Sequence, residues 1–304
     1  MSILVKYVDD ILTPSRKLKQ FMKSKVRTIQ SILTQSSSLT PKEIHLGGSL
    51  AKGTMLAHKP DADLVFLYNR SKEVANDWEK LATIVYKPLK SNFSGIEVEE
   101  AGNLAIHIKA TLDGRTVNFD IVPGYYVNSP EQMKDHIGSK LYIANTTIWH
   151  TRYLVHYKNF PYFTRVVRLL KDWKNEQDVP LIKSLHLELI AADVYDNIIE
   201  DINDIGDIDD VLLLCFENIL DTLDGYPVIP SRWPYCNEDN YEEQYNSPVL
   251  IDPANPSDNL LADLKRVADI NKIRRKTEIT MENLKKGYYT DIFNRKNTLH
   301  FFDR

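Results

Sequence analysis

The sequence predicts an α/β (α+β) chain of two lobes, with an N-terminal lobe built on a mixed, twisted sheet and a C-terminal lobe made of helices. Residues 43–67 read as a strand, a glycine-rich turn and a second strand. Two alternating runs flank Asp113-Gly114, which predicts a hairpin. After position 160 the apolar residues recur at helical spacing. We therefore assign the sheet lobe, with a long first helix, to residues 1–160 and the helical lobe to residues 161–304.

Composition limits the classes of protein to consider. The chain has 304 residues, 43% of them hydrophobic, which is enough for a large core. Because its formal net charge is -4, any polynucleotide would have to bind to a local basic patch. Two cysteines without a CxxC motif support neither a disulfide framework nor a zinc site. No secretion signal or apolar run of membrane length is visible, so we expect a cytoplasmic protein without a membrane partner.

The first long helix is predicted over Pro14–Gln35, with Thr13 as its N-cap and Pro14 at its first position. Its apolar residues recur at helical spacing. They are Leu18, Phe21, Met22, Val26, Ile29, Ile32 and Leu33. The other face is basic and includes Arg16, Lys19, Lys23 and Arg27. Composition favours a solvated flank for this face, and a surface that follows a phosphate backbone is the alternative.

The stretch Glu43–Leu67 combines features of a nucleotide site. A short apolar strand breaks at Gly47, Gly48 and Ser49, where backbone N–H groups can approach phosphates. Asp61 and Asp63 follow at the start of a second strand, and residues two apart in a strand share a face. Two such carboxylates repel each other unless a cation lies between them, and Mg²⁺ is the natural choice. The glycine-serine turn alone would indicate an ordinary turn, and the aspartate pair alone an ordinary solvated surface. Their combination predicts a site that binds a nucleotide and a metal ion.

The hairpin predicted over Leu104–Leu112 and Arg115–Val122 orients a third aspartate. The apolar side chains of its second strand are expected on one face, with Asp120 on the opposite, polar face. By itself, an aspartate before Val-Pro-Gly is also typical of a turn. The residues alone leave both interpretations open.

The helical lobe offers two candidate phosphate ligands. Phe163–Trp173 is predicted to be a helix that buries its apolar face, with Lys171 at the polar edge. Ser184 lies near the start of the next predicted helix, where unpaired N–H groups favour anions. An ordinary surface lysine is the alternative for Lys171.

The remaining elements complete the predicted order. Helices are expected over Ser71–Lys90, Leu212–Leu223 and Leu260–Lys286, with a strand at Gly95–Glu100. Asp252 and Asn259, in a strand and Asp-Pro turn before the last helix, are expected to be structural. No chemical role is assigned to residues 124–163, and residues 224–245 are predicted to form a loop.

The motif GGSLAKGT followed by DADLVF resembles the signature of the DNA-polymerase-β-like nucleotidyltransferases. The similarity is to the branch that holds 2′-5′ oligoadenylate synthetases, cyclic GMP-AMP synthase and the bacterial CD-NTases. FDIVP resembles the later strand of this family that carries a third metal carboxylate, which implies that role for Asp120. The resemblance also implies that Gly48, Ser49, Lys171 and Ser184 bind the donor triphosphate. Leu185 departs from the family, where many members have an aromatic residue that stacks on the nucleobase.

The resemblance implies a template-independent nucleotidyltransferase that uses ATP, and other NTPs as alternatives, and releases pyrophosphate. Asp61 and Asp63 would hold one Mg²⁺ and, with Asp120, a second, and Mn²⁺ could replace either ion. The implied product is a second messenger in antiviral or antiphage defence, either 2′-5′ oligoadenylate or a cyclic di- or trinucleotide. In the RNA-sensing members the long first helix helps to contact the duplex, so double-stranded RNA or another activator is an expected partner.

Two alternatives stay open at this point. Archaeal-type tRNA nucleotidyltransferases share the Gly-Ser turn and the carboxylates, so the chain could add nucleotides to RNA 3′ ends. It could also be a catalytically silent relative that binds RNA, although the presence of Asp61, Asp63 and Asp120 argues against this.

Overall fold

A computed structural model of the chain describes residues 2–36, 39–69, 78–92, 97–99, 105–127, 143–198, 205–230 and 246–293. The chain divides into two compact units. One unit comprises Pro14–Val155, and the other comprises Met1–Thr13 together with His156–Arg304. In the described residues, no helix is long and apolar enough to cross a membrane.

The first unit is organised on a five-stranded mixed sheet of order β1-β2-β5-β4-β3. Its strands are β1 (Glu43–Gly47), β2 (Asp61–Tyr68), β3 (Glu97–Glu99), β4 (Ile106–Leu112) and β5 (Arg115–Tyr125). The two central strands, β2 and β5, run parallel, and the other neighbouring pairs are antiparallel. The mixed sheet predicted for this part of the chain is therefore confirmed.

The hairpin between β4 and β5 has the predicted turn. Asp113 and Gly114 have φ angles of 51° and 76°, both in the left-handed region that a two-residue hairpin loop requires. Leu112 pairs with Arg115, which fixes the register of both strands. Phe119 is fully buried and Asp120 is half-buried, so the strand alternates as expected.

The long first helix, α2, spans Arg16–Ser36, and it follows the short α1 at Ile3–Tyr7. The predicted capping by Thr13 and Pro14 is wrong. The helix begins only at Arg16, and the buried Thr13 Oγ1 has no hydrogen-bond partner among the described residues. The helix is instead capped by Ser15, whose Oγ accepts the Leu18 N–H at 3.2 Å.

The two faces of the sheet are buried differently. One face packs Leu64, Phe66 and Phe119 into a large core with α2 and with α4 (Trp78–Asn92). The predicted start of α4, at Ser71–Asp77, lies outside the described residues. The other face has a smaller apolar cluster, which packs against α5 (Ile143–Val155). The polar end of that second face carries the predicted carboxylates.

The second unit is mostly helical. Its main helices are α6 (Phe163–Glu176), α7 (Ser184–Asp193), α8 (Ile208–Leu223), α9 (Val267–Lys285) and α10 (Thr290–Phe293). The last long helix is predicted to begin at Leu260, whereas α9 begins only at Val267. Before it, β6 (Ile251–Asp252) pairs with β7 (Asn255–Asn259). Asn259 is structural, as expected, since its Oδ1 accepts the N–H groups of Leu250 and Leu261, both at 3.0 Å.

The first residues of the chain are built into this helical unit. The buried Tyr7 hydroxyl lies 2.9 Å from Asp172 Oδ2 and 3.0 Å from the carbonyl oxygen of Phe293. Arg165 donates two hydrogen bonds of 2.9 Å to Asp9. Burial raises the pKa of Asp172 to about 7, while the Tyr7 hydrogen bond opposes that rise.

Candidate active site

Asp61 and Asp63 lie on the same face of β2, with the fully buried Ala62 between them pointing the other way. In the parallel register, Asp63 is directly beside Asp120 of β5, and Asp61 is beside Asn118. The predicted shared face of Asp61 and Asp63 is therefore confirmed, and Asp120 lies on that same face. Their catalytic role stays a prediction.

Gly48 brings the glycine turn against Asp63. The predicted turn is a five-residue helix, α3 (Gly48–Lys52), which follows directly on β1. Gly48 has a φ of +63°, which glycine adopts at little cost. A β-carbon at position 48 would lie 1.5 Å from Asp63 Oδ2, so the carboxylate packs directly on the backbone. Any larger residue here would displace that carboxylate.

Ser49 connects the same turn to the first aspartate. Its hydroxyl donates a 2.6 Å hydrogen bond to Asp61 Oδ1. A hydrogen bond from a hydroxyl to a carboxylate is short and strong compared with a neutral one. Gly48 and Ser49 therefore each contact one carboxylate of the pair, which links the predicted phosphate turn and the predicted metal ligands in one structure.

Thr151 of α5 is a site residue that sequence reasoning missed. Its Oγ1 accepts the Gly48 N–H at 3.2 Å and donates to the Thr147 carbonyl at 2.8 Å. A β-carbon at Gly47 would lie 3.0 Å from Thr147 Cγ2, so this helix packs closely on the glycine turn. Gly48 and Thr151 are 103 residues apart, and nothing in the local pattern connects them.

His107 of β4 was also missed. It lies opposite Asp120, and its Nδ1 is 2.7 Å from Asp120 Oδ1. A signal for this contact exists, because counting outward from the Asp113-Gly114 turn places the two residues opposite each other.

The donor set fits a hard divalent cation. Three carboxylates on neighbouring strands are the oxygen ligands that Mg²⁺ takes. Across the part of the chain that the structure describes, no three acidic, histidine or cysteine side chains are already grouped as a metal site. Two of the carboxylates are engaged instead by Ser49 and His107. The residues present are thus of the right kind, and Asp61, Asp63 and Asp120 are the ones that would hold the metal.

Lys171 and Ser184 belong to the second unit. The prediction that Lys171 projects at a polar edge is wrong, since the residue is only 6% exposed and its Nζ lies 2.6 Å from Glu188 Oε1. Glu188 is on α7 and is 1% exposed, so its charge compensates that of the lysine in the interior. Ser184 is exposed and is the first residue of α7, as predicted. Contact of either residue with a triphosphate stays a prediction.

The buried pair makes a stability prediction. Replacing Glu188 with alanine should lower the free energy of unfolding by about 3–5 kcal/mol, because it leaves an uncompensated charge in the interior. The double replacement Lys171→Met, Glu188→Leu should recover most of that loss. Urea unfolding of the three proteins measures both effects. As a control, Lys272→Ala, which breaks an exposed pair with Asp178, should cost less than about 1 kcal/mol.

The predicted basic surface consists of Arg16, Lys19, Lys23 and Arg27 on α2. Spacings of three and four residues place their side chains along one stripe of the helix. Arg16, Lys23 and Arg27 are exposed and Lys19 is half-buried. The neighbouring Lys17 pairs with Asp113 at 2.6 Å. The stripe is thus accessible at the surface, and its partner stays a prediction.

Known proteins are similar to this chain in sequence and in fold. Residues 16–143 match the family described as "Nucleotidyltransferase domain". Human 2′-5′-oligoadenylate synthase 2 is 26% identical in an alignment 140 residues long, which covers 40% of this chain and 20% of that protein. The chain thus matches only a fifth of the length of this curated relative.

Solved structures of several proteins are similar to almost the whole chain. CdnC of E. coli MS115-1, in complex with HORMA-deltaN, is 21% identical with a TM-score of 0.68, and the match covers 96% of each chain. CdnC has also been solved with ATP, at a TM-score of 0.67 and 20% identity over 96% of this chain and 97% of that one. Terminal uridylyl transferase 4 of Trypanosoma brucei with bound UPU is 13% identical with a TM-score of 0.60, covering 93% of this chain and 96% of that one. Residues 16–143 are therefore similar in sequence to nucleotidyltransferase domains, and the chain shares the fold of CdnC.

Proposed function

We propose that this nucleotidyltransferase joins nucleotides from ATP, and from other NTPs, into an oligonucleotide second messenger without a template. The observation that carries the proposal is the register of β2 and β5. It sets Asp63 beside Asp120 on the face where Gly48 and Ser49 contact the aspartate pair. Carboxylates next to a glycine-serine turn suit the transfer of a nucleotidyl group from a triphosphate.

In the proposed reaction, a ribose hydroxyl of the acceptor attacks the α-phosphorus of the donor. The bond between that phosphorus and the bridging oxygen breaks, and pyrophosphate leaves. Gly48 and Ser49 would orient the β- and γ-phosphates, while Asp61, Asp63 and Asp120 would hold two Mg²⁺ ions. Those ions, when bound, would neutralise the triphosphate and stabilise the attacking and leaving oxygens. The protein's own part is to align the hydroxyl and the phosphorus for in-line attack.

The proposed product is a messenger in antiviral or antiphage defence, either linear 2′-5′ oligoadenylate or a cyclic di- or trinucleotide. The resemblance of the motif to this family and the match to 2′-5′-oligoadenylate synthase 2 support it. Labelled ATP, GTP, CTP and UTP should be incubated with the protein and Mg²⁺, and the products treated with phosphatase and linkage-specific nucleases. Phosphatase-resistant products would establish a cyclic messenger. A ladder that resists only 3′-5′-specific nuclease would establish linear 2′-5′ oligoadenylate.

Addition of nucleotides to RNA 3′ ends is the second candidate. The match to a terminal uridylyl transferase over 93% of this chain favours it. A labelled single-stranded RNA included in the same assay separates the two functions. Extension of that RNA, without free oligonucleotide products, would replace the messenger proposal.

The basic stripe is the proposed surface for an activating polynucleotide. Replacing Lys19 and Lys23 with glutamate should abolish stimulation by double-stranded RNA and leave basal turnover unchanged. When log K for binding of double-stranded RNA is plotted against log salt concentration, the magnitude of the slope should fall by about two in this variant. Lys80→Glu with Lys87→Glu, two exposed lysines on α4, is the matched control. If double-stranded RNA stimulated the stripe variant as strongly as the control, the basic stripe would not be the surface that binds the activator.

A further inference from the structure

His107 and Asp120 form a directed contact between adjacent strands. They are opposite each other in the antiparallel ladder of β4 and β5, so both side chains project from the carboxylate face of the sheet. His107 Nδ1 is 2.7 Å from Asp120 Oδ1, which is hydrogen-bond distance. The contact therefore restrains one defined oxygen of the third carboxylate.

Each of the three aspartates on this face has its own support. Asp61 accepts the Ser49 hydroxyl, and Asp63 packs against the Gly48 backbone. Asp120 is on a different strand from the glycine turn, and the contact that orients it is with His107. This contact restrains the rotation of the carboxylate about its two side-chain torsions. Restraining that rotation lowers the entropy lost when a ligand is bound.

We infer that His107 is a positioning residue, which holds Asp120 in the orientation needed to bind the second divalent ion. The inference rests on the proposed function. Residues that hydrogen-bond metal ligands fix their orientation, and their removal typically costs 10- to 100-fold in metal affinity or activity. His107 contacts Oδ1 of Asp120, which leaves Oδ2 to bind the ion.

A purely structural role explains the contact less well. The His107 and Asp120 side chains are 43% and 34% exposed, and ion pairs at that level of exposure contribute little to stability. The strands are also held by a continuous ladder from Ile106 to Leu112, independently of these side chains. Replacement of His107 should therefore leave the protein folded.

The test measures metal binding directly. Mn²⁺ is titrated into the protein saturated with α,β-methylene ATP, a non-hydrolysable analogue, and free Mn²⁺ is followed by electron paramagnetic resonance. The Mn²⁺ ion that the wild-type protein binds and an Asp120→Asn variant does not defines the second site. His107→Ala should weaken that site about 10- to 100-fold. His107→Asn should recover most of the affinity, since asparagine Nδ2 and histidine Nδ1 are both bonded to Cγ and can reach the same oxygen.

The matched control is His45→Ala. His45 is a half-buried histidine on β1 of the same sheet, 2.7 Å from the Glu43 carboxylate. Its removal should leave Mn²⁺ affinity unchanged. Wild-type affinity in His107→Ala would overturn the inference and leave the proposed function standing. Failure of the wild-type protein to bind any Mn²⁺ that depends on Asp120 would overturn both.

Discussion

An Asp63→Asn variant is expected to lose NTP turnover by about 10³-fold or more while it keeps its fold. The change removes the charge of the carboxylate that lies beside Asp120 and against Gly48. Divalent ions held by such carboxylates supply several kcal/mol of transition-state stabilisation, and about 4 kcal/mol corresponds to 10³-fold. Radiolabelled product formation, measured together with thermal unfolding, checks both parts.

Asp113→Asn is the matched control for that variant. Asp113 is an exposed aspartate in the hairpin turn of the same sheet, paired with Lys17 at 2.6 Å. The same chemical change there should leave turnover within about twofold, because exposed pairs are worth at most about 1 kcal/mol. If Asp63→Asn kept more than a tenth of the wild-type turnover, the aspartate pair would not be the catalytic centre.

The second large effect is expected from Gly48→Ala. The added β-carbon would lie 1.5 Å from Asp63 Oδ2, so the carboxylate or the turn must move. Turnover should fall at least about 10²-fold, since a displacement of about 1 Å at a reacting centre has this effect. The left-handed backbone should also cost about 1–2 kcal/mol of stability.

Gly114→Ala separates the two consequences. Gly114 has a φ of +76°, and a β-carbon there meets nothing within 4 Å. This variant should show a similar loss of stability by urea unfolding and keep its turnover. Equal turnover in the two variants would mean that contact between Gly48 and Asp63 does not matter for catalysis.

The sequence alone was sufficient to predict the structure wherever the interaction that determines it is local. The Asp113-Gly114 turn set the register of the hairpin, because few residue pairs adopt two left-handed conformations in succession. Alternation along β2 placed Asp61 and Asp63 on one face for the same kind of reason. The motif around them was enough to indicate the nucleotidyltransferase family.

Local pattern failed where a partner lies far along the chain. Lys171 fits the polar edge of an amphipathic helix, yet it is buried because Glu188, on the next helix, compensates its charge. The capping error at Thr13 is smaller and local, since Ser15, two residues further on, caps the helix instead.

The sequence by itself determined the strands, the hairpin and the shared face of Asp61 and Asp63, because each depends on residues a few positions apart. Only the tertiary structure decided which side chains support them. Thr151 meets Gly48 across 103 residues, and the N-terminal Tyr7 meets Asp172 across 165. Such contacts depend on how helices pack against one another and against the sheet, and side-chain periodicity gives the direction of a face but not the residue that lies against it.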